Sequence, residues 1–187
     1  MVGDRMNRER RVRRVVPSRR DSTMLAMEIR AATGDDWASI YPIFRAVVDA
    51  GTTYAYPAGL SSATARALWM EAAPARTLVA VEHGVVVATA KMGPNRPGRG
   101  SHVATASFMV DPQHAGHGVG RSLGEAVIEQ ARRDGYRSIQ FNAVVETNVA
   151  AVHLWEELGF RILATVPGAF DHPQHGLVGL HIMYLEL

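Results

Sequence analysis

The chain has 187 residues, 47% of them hydrophobic and 20% charged, the profile of one soluble globular domain with a sizeable core. No run approaches the ~20 apolar residues that cross a bilayer, and the lack of cysteine excludes disulfides, thiolate metal sites and cysteine nucleophiles. The net charge of +2 is unevenly spread: residues 1–27 hold eight arginines against three acids, and residues 28–187 carry an acidic excess.

The basic segment 1–27 reads either as an arm for an anionic surface or as a plain disordered extension. The second reading is preferred, and no nucleic-acid partner is expected. A folded domain then spans 28–187. Glu28 to Ala32 reads as a short strand. Thr33 is an N-cap candidate, with Asp35 and Asp36 in the first turn where the helix dipole favours acids. Trp37, Ile40, Ile43, Phe44, Val47 and Val48 recur at helical spacing, so 34–50 is an amphipathic helix. Pro42 is expected to kink or break it. After a loop holding Tyr54 and Tyr56, Ser61 or Ser62 caps a second helix to about Ala73. Arg76–Glu82 and Val85–Met92, joined by His83-Gly84, form a hairpin. Residues 93–100 are expected to be a loop.

Val103–Val110 is a strand, Gly118–Arg133 a helix, and Ser138–Val145 a strand. Thr147 or Asn148 caps a helix to Leu158, which Gly159 ends. Phe160–Val166 and Leu177–Leu187 are the last strands, joined by a loop over 167–176. The unit 103–145 is a parallel β-α-β crossover, and the other strands neighbour one another antiparallel. The fold class is therefore α/β (α+β): a mixed, largely antiparallel seven-stranded sheet with helices on both faces.

The segment Gln113-His114-Ala115-Gly116-His117-Gly118-Val119-Gly120-Arg121 joins a strand to a helix. Its alternating glycines allow positive φ and close approach of a ligand to the backbone. Successive amides leading into a helix N-terminus make an anion nest, and a pyrophosphate is the natural occupant. No Gly-Lys-Ser/Thr follows, which rules out a P-loop. The G-x-G-x-G spacing, with no acid closing the next strand, does not suit a dinucleotide-binding fingerprint.

Gln113-x-x-Gly116-x-Gly118 resembles the acetyl-CoA signature of the GNAT superfamily of N-acetyltransferases, Q/R-x-x-G-x-G/A. Val110-Asp111-Pro112 is similar to that family's lead-in to the loop. The run from Asn148 through Ala151, Leu154 and Trp155 to Gly159-Phe160 resembles its second signature, N-x-x-A-x-x-L-Y-x-x-x-G-F. The resemblance covers 28–187. It implies an acetyl-CoA-dependent N-acetyltransferase, cytoplasmic and homodimeric, acting on a small-molecule amine or amino acid. A non-catalytic acyl-CoA module and a protein N-terminal acetyltransferase are the alternatives.

The resemblance also implies roles. The main chain of Met109 and Val110 would pair with the pantetheine arm. Backbone amides of His114, Ala115, Gly116, His117, Gly118, Val119, Gly120 and Arg121 would hold the pyrophosphate, with added charge from the two histidines or Arg121. Asn148 would contact the pantetheine or line the pocket beside the thioester; as a residue it also reads as a helix cap.

Two positions depart from the family. Trp155 stands where a tyrosine usually protonates the leaving thiolate, and an indole N–H has no useful acidity. Residues 103–110 contain no carboxylate to serve as the usual base. Asn142, a polar amide within the strand 138–145, is a candidate catalytic or substrate contact, with an ordinary satisfied amide as the other reading. The segment around Asn142 and Asn148 is similar to a GNAT branch that includes fungal acetyltransferases of proline analogues such as azetidine-2-carboxylate. A further asparagine of that branch would fall at Thr105. Tyr54 and Tyr56 would cover the acceptor, as this loop does in the family, or equally pack on the core. His102, His153 and Glu146 read as satisfied polar side chains, with a role as base the alternative. Asp171, His172 and His175 read as a polar surface loop, or as part of the acceptor pocket, and no metal is expected.

Overall fold

The computed structural model describes residues 27–187, so the basic extension expected at 1–27 lies outside the described residues except for Met27. Seven strands form one sheet: β1 (Glu28–Ala31), β2 (Arg76–Glu82), β3 (Val85–Pro94), β4 (Val103–Val110), β5 (Ser138–Val145), β6 (Arg161–His172) and β7 (Gly176–Glu186). Their order is β1-β2-β3-β4-β5-β7-β6, as expected of a mixed sheet. Only β4 and β5 are parallel neighbours. Four helices pack on it: α1 (Trp37–Asp49), α2 (Ser62–Trp69), α3 (Val119–Arg133) and α4 (Val149–Glu157).

The period-two alternation of strands divides the core between two faces. On one face Ala90, Ala104, Phe141, Val119, Leu123, Val127 and Trp155 pack together with α3 and α4. On the other, Trp37, Ile40, Phe44, Trp69, Val79 and Met109 pack with α1 and α2. Along β4, Ala106, Phe108 and Val110 join the α3–α4 core. Thr105 and Ser107 therefore face the α1–α2 side, as Met109 does.

Three sequence expectations change. Pro42 lies inside α1, which stays continuous from Trp37 to Asp49. Pro42 and Ala38, whose carbonyl loses its donor, are both exposed, so water can serve the freed group. The second helix ends at Trp69 rather than Ala73, short of Pro74, which disfavours helical backbone just before it. The expected loop 167–176 is mostly strand. β6 and β7 pair as far as His172 and Gly176, with a register shift between Val166 and Phe170 that absorbs Pro167-Gly168-Ala169. β6 is an edge strand, where a proline without an N–H is tolerated.

The first turn is tied by charge. Both Asp36 oxygens accept from Arg30, at 2.8 Å each, and the Thr33 amide and hydroxyl also donate to this carboxylate. These donors, Arg30 foremost, hold the Asp36 carboxyl well below the usual carboxylate range. Its folded pKa thus lies under the unfolded value of ~3.9. The stabilisation is complete above that value and drains away as pH falls toward the folded pKa. Asp36→Asn will cost about 1 kcal/mol at neutral pH, and the gap from wild type will narrow below pH ~4. Urea melts at several pH values check this; a gap that widens with acid would contradict it.

Candidate active site

β4 and β5 pair only at Val103–Ser138 and Ala104–Ile139. Beyond these residues the two strands splay, and the edge of β4 facing β5 is left open. The ladder between β3 and β4 decides which backbone groups point into that opening. In an antiparallel pair, facing residues alternate between exchanging hydrogen bonds and directing them to the other edge. The Tyr54 hydroxyl accepts from the Phe108 amide at 2.9 Å and donates to the Phe108 carbonyl at 2.7 Å. Phe108 therefore faces the opening, and so does Val110, two residues on. Met109, opposite Thr89 across the ladder, spends its main chain on β3. The Asp111 amide, of the same parity, donates to Val87 at 2.9 Å. Of the expected pair Met109 and Val110, only Val110 turns its main chain to the opening, as Phe108 does, while Met109 bonds to β3 and contributes a buried side chain to the α1–α2 core.

Tyr54 is firmly held. Its ring stacks on Tyr56 at 5.6 Å and meets Trp69 edge-on at 6.2 Å. Trp69 is anchored in turn by its indole N–H on Thr89. Burial pushes the Tyr54 phenol far above its ordinary value.

At the end of β4 the chain turns into α3. Gly116 and Gly118 adopt φ of 81° and 80°, and Gly118 caps α3. A Cβ at either would meet no protein atom within 4 Å, so packing is not why glycine stands there. Gly120 and Gly124 differ. A Cβ on Gly124 would lie 2.7 Å from Leu158 and 3.1 Å from Trp155, so this glycine lets α3 approach α4. The His114 amide donates to the Asp111 carbonyl at 2.8 Å, and the Gln113 amide to the Asp111 carboxylate. Within the expected run 114–121, the His114 amide is therefore already taken by the protein's own main chain. The amides of Val119, Gly120 and Arg121 open α3 and have no intrahelical acceptor. The Arg121 guanidinium is paired with Glu157 on α4, whose carboxylate also lies 3.1 Å from His153. Its charge is partly spent there, and His117 is exposed at the loop tip.

Trp155, at the family's tyrosine position, is buried among Phe108, Phe141 and Phe160, with Phe108 nearest at 4.6 Å. It supports the floor of the splay. Asn148 caps α4, its Oδ1 accepting from the Ala151 amide at 3.3 Å. Asn142 is exposed at the β5 bulge. Its side chain donates to Asn95 at 2.7 Å and accepts from Gln140 at 2.8 Å. It shares the α1–α2 side of the sheet with Thr105. The Glu146 carboxylate accepts from the Gly179 amide.

Sequence reasoning missed a further cluster. Thr52, Thr53, Thr147, Asn148 and His172 line a cavity of about 180 Å³. These residues come from three separate segments, and no spacing pattern announces them. His172, expected on a surface loop, is buried. A larger hollow of about 450 Å³ lies by the C-terminal end of α3, among Ala73–Arg76, Asp134 and Tyr136. There Arg76 and Asp134 neutralise each other at 3.0 Å.

The splayed parallel pair thus lies beside the glycine turn that opens α3. The chain belongs to the GNAT acetyltransferase family, whose pattern matches residues 37–160, and it is an acyltransferase. The "L-amino acid N-acyltransferase MnaT" of Escherichia coli is 34% identical over 145 residues, covering 75% of this chain and 83% of that protein. A GCN5-related N-acetyltransferase from Kribbella flavida superposes with a TM-score of 0.84 at 54% identity, over 87% of this chain and 99% of that one. The structure of yncA from Salmonella typhimurium "with its cofactor Acetyl-CoA" gives a TM-score of 0.74 at 29% identity, over 86% of this chain and 94% of that one. The "N-acetyltransferase aca1" of Schizosaccharomyces pombe is 45% identical over 67 residues. That match spans 36% of this chain and 32% of the yeast protein. No helix among the described residues is long and apolar enough to cross a membrane.

Proposed function

We propose that this protein moves the acetyl group of acetyl-CoA to the amine of a small molecule or amino acid, by direct attack in a ternary complex. The observation that carries the reading is the open edge of β4, with Phe108 and Val110 facing the splay, continuous with the glycine cradle at α3. The residues fit the cosubstrate: a Cβ at Gly116 or Gly118 would meet no protein atom within 4 Å, which leaves the turn open to a ligand, and Val110 offers a donor and an acceptor to an amide-bearing arm. The acetyl-CoA in the Salmonella structure and the name of the E. coli relative support both halves.

Acetyl-CoA supplies an activated acyl carbon and a thiolate leaving group, free thiols having pKa near ~8.5. The chain's own residues orient and polarise. Amides of residues 115–121 anchor the pyrophosphate, and Val110 sets the depth of the arm. The Phe108 N–H, once Tyr54 yields it, polarises the thioester carbonyl. Asn148 keeps its amide N–H₂ group for the arm or the acceptor. Thr105 and Asn142 lie on the face from which the amine approaches. Holding the reactants in register is worth ~7–11 kcal/mol, which lessens the demand for a strong general acid where Trp155 offers none.

Thiol release from acetyl-CoA across an amine panel tests the reading. Acceptor-dependent release is expected. Intact acetyl-CoA binding with no release for any amine would replace it with a non-catalytic acyl-CoA module. Asn142→Ala is expected to lower kcat/KM for the acceptor about tenfold, the scale of one lost polar contact, without changing acetyl-CoA affinity. An unchanged kcat/KM would remove Asn142 from the site.

A further inference from the structure

Two buried hydroxyls have no partner among the described residues, and both belong to residues lining one cavity: Thr53 Oγ1 and Thr147 Oγ1. A buried polar group without a partner costs free energy and calls for an explanation. His172, also lining this cavity, accepts the Gln174 amide on Nδ1 at 3.2 Å. That contact leaves Nε2 to carry the ring proton. Asn148 commits its carbonyl oxygen to capping α4 and keeps its N–H₂ free. The cavity also sits at the N-terminal end of α4, where the helix dipole favours negative charge. The lining thus gathers hydroxyl, amide and imidazole donors and no carboxylate. The adjacent acid, Glu146, is occupied by the Gly179 amide.

We propose that this cavity binds the carboxylate of the acceptor, with Thr53 and Thr147 as donors and His172 and Asn148 completing the site, so that the acceptors are α-amino acids rather than plain amines. This rests on the acetyltransferase reading. At about 180 Å³ the cavity is below the ~300 Å³ at which drug-sized pockets begin, a scale suited to the head of a single amino acid. Thr53 precedes Tyr54, whose hydroxyl stands at the Phe108 amide. The cavity and the splay are thus joined through consecutive residues, and an amino acid with its carboxylate beside Thr53 and Thr147 would have the splay within the reach of its neighbouring groups.

Thr53→Val and Thr147→Val each remove one hydroxyl and keep the branched shape, and Thr53→Ser and Thr147→Ser restore the donor. Two quantities are read: KM for a panel of L-amino acids and their decarboxylated amines, and calorimetric affinity of the amino acids for the CoA-loaded protein. Each valine variant is expected to weaken amino-acid binding about tenfold, as for one charge-assisted hydrogen bond. The serine variants should stay near wild type. KM for the decarboxylated amines and affinity for acetyl-CoA should not move. The proposal is overturned if the valine variants bind amino acids like wild type, or if the wild type binds none, which would leave the hydroxyls to ordered water. Acetylation of amines without any carboxylate preference would sink this proposal and leave the transferase reading standing. Amino-acid binding that the valine variants weaken, with no transfer to any amine, would do the reverse.

Discussion

Gly118→Val is expected to weaken acetyl-CoA binding by about 100-fold or more, ~2.8 kcal/mol at tenfold per 1.4 kcal/mol. Gly118 has φ of 80° and caps α3, where a β-branched residue is strained by ~1–2 kcal/mol or more. The loop can relieve that strain only by rotating out of the left-handed region, which turns the neighbouring amides away from the anion. If it keeps its shape instead, the new side chain enters the space that the protein leaves open and the ligand needs. Gly135→Val separates strain from function. Gly135 has φ of 81° and open space at its Cβ, but lies just beyond the far end of α3. Both variants should lower Tm, and only Gly118→Val should lower affinity in calorimetry. An unchanged Kd for Gly118→Val would show that the pyrophosphate lies elsewhere.

The contrast between these glycines marks what was legible in the sequence. The strand, loop and helix from Val103 to Arg133 are written in short-range signals: alternation, glycine spacing and a capped start. The Asn148 cap is equally local. The role of Gly124 was not legible, because close approach to Leu158 and Trp155 depends on how α3 meets α4. Pro167-Gly168 suggested a loop, since the composition of a turn and of a bulged edge strand is nearly the same. Only the position of β6 at the sheet edge decides between them.

Ladder parity was hidden for a related reason. A sequence identifies β4 as a strand but does not say which residues turn their amides toward β5. That depends on the register with β3, which brings Phe108 opposite Ala90 and Met109 opposite Thr89. The cavity among Thr53, Thr147 and His172 is less legible still. Thr53 lies about a hundred residues before Thr147 and His172, and in the sequence Thr147 reads as a helix cap and His172 as part of a polar loop or of the acceptor pocket, with nothing to join them to Thr53.

Parity leads to the second large effect. Tyr54→Phe is expected to lower kcat by about 100-fold, the scale of one lost donor to developing negative charge, while acetyl-CoA binds as tightly as before or slightly tighter. In the protein as described, the Tyr54 hydroxyl holds both polar groups of Phe108. It therefore occupies the place that the proposed mechanism assigns to the thioester carbonyl on the Phe108 amide. Phenylalanine removes this competitor, which favours binding. It also removes a hydroxyl that, once displaced, lies beside the departing sulfur. Burial holds the phenol's pKa far above that of a thiol, so in the proposed mechanism Tyr54 would stabilise the thiolate by hydrogen bonding and keep its proton. Tyr54 should accordingly add no ionisation to the pH–rate profile through the neutral and mildly alkaline range, and the wild-type and Tyr54→Phe profiles should share one shape. A kcat that survives the substitution would leave Tyr54 as packing for Tyr56 and Trp69 alone. A basic limb present in wild type and missing in the variant would mean that the phenol transfers its proton after all.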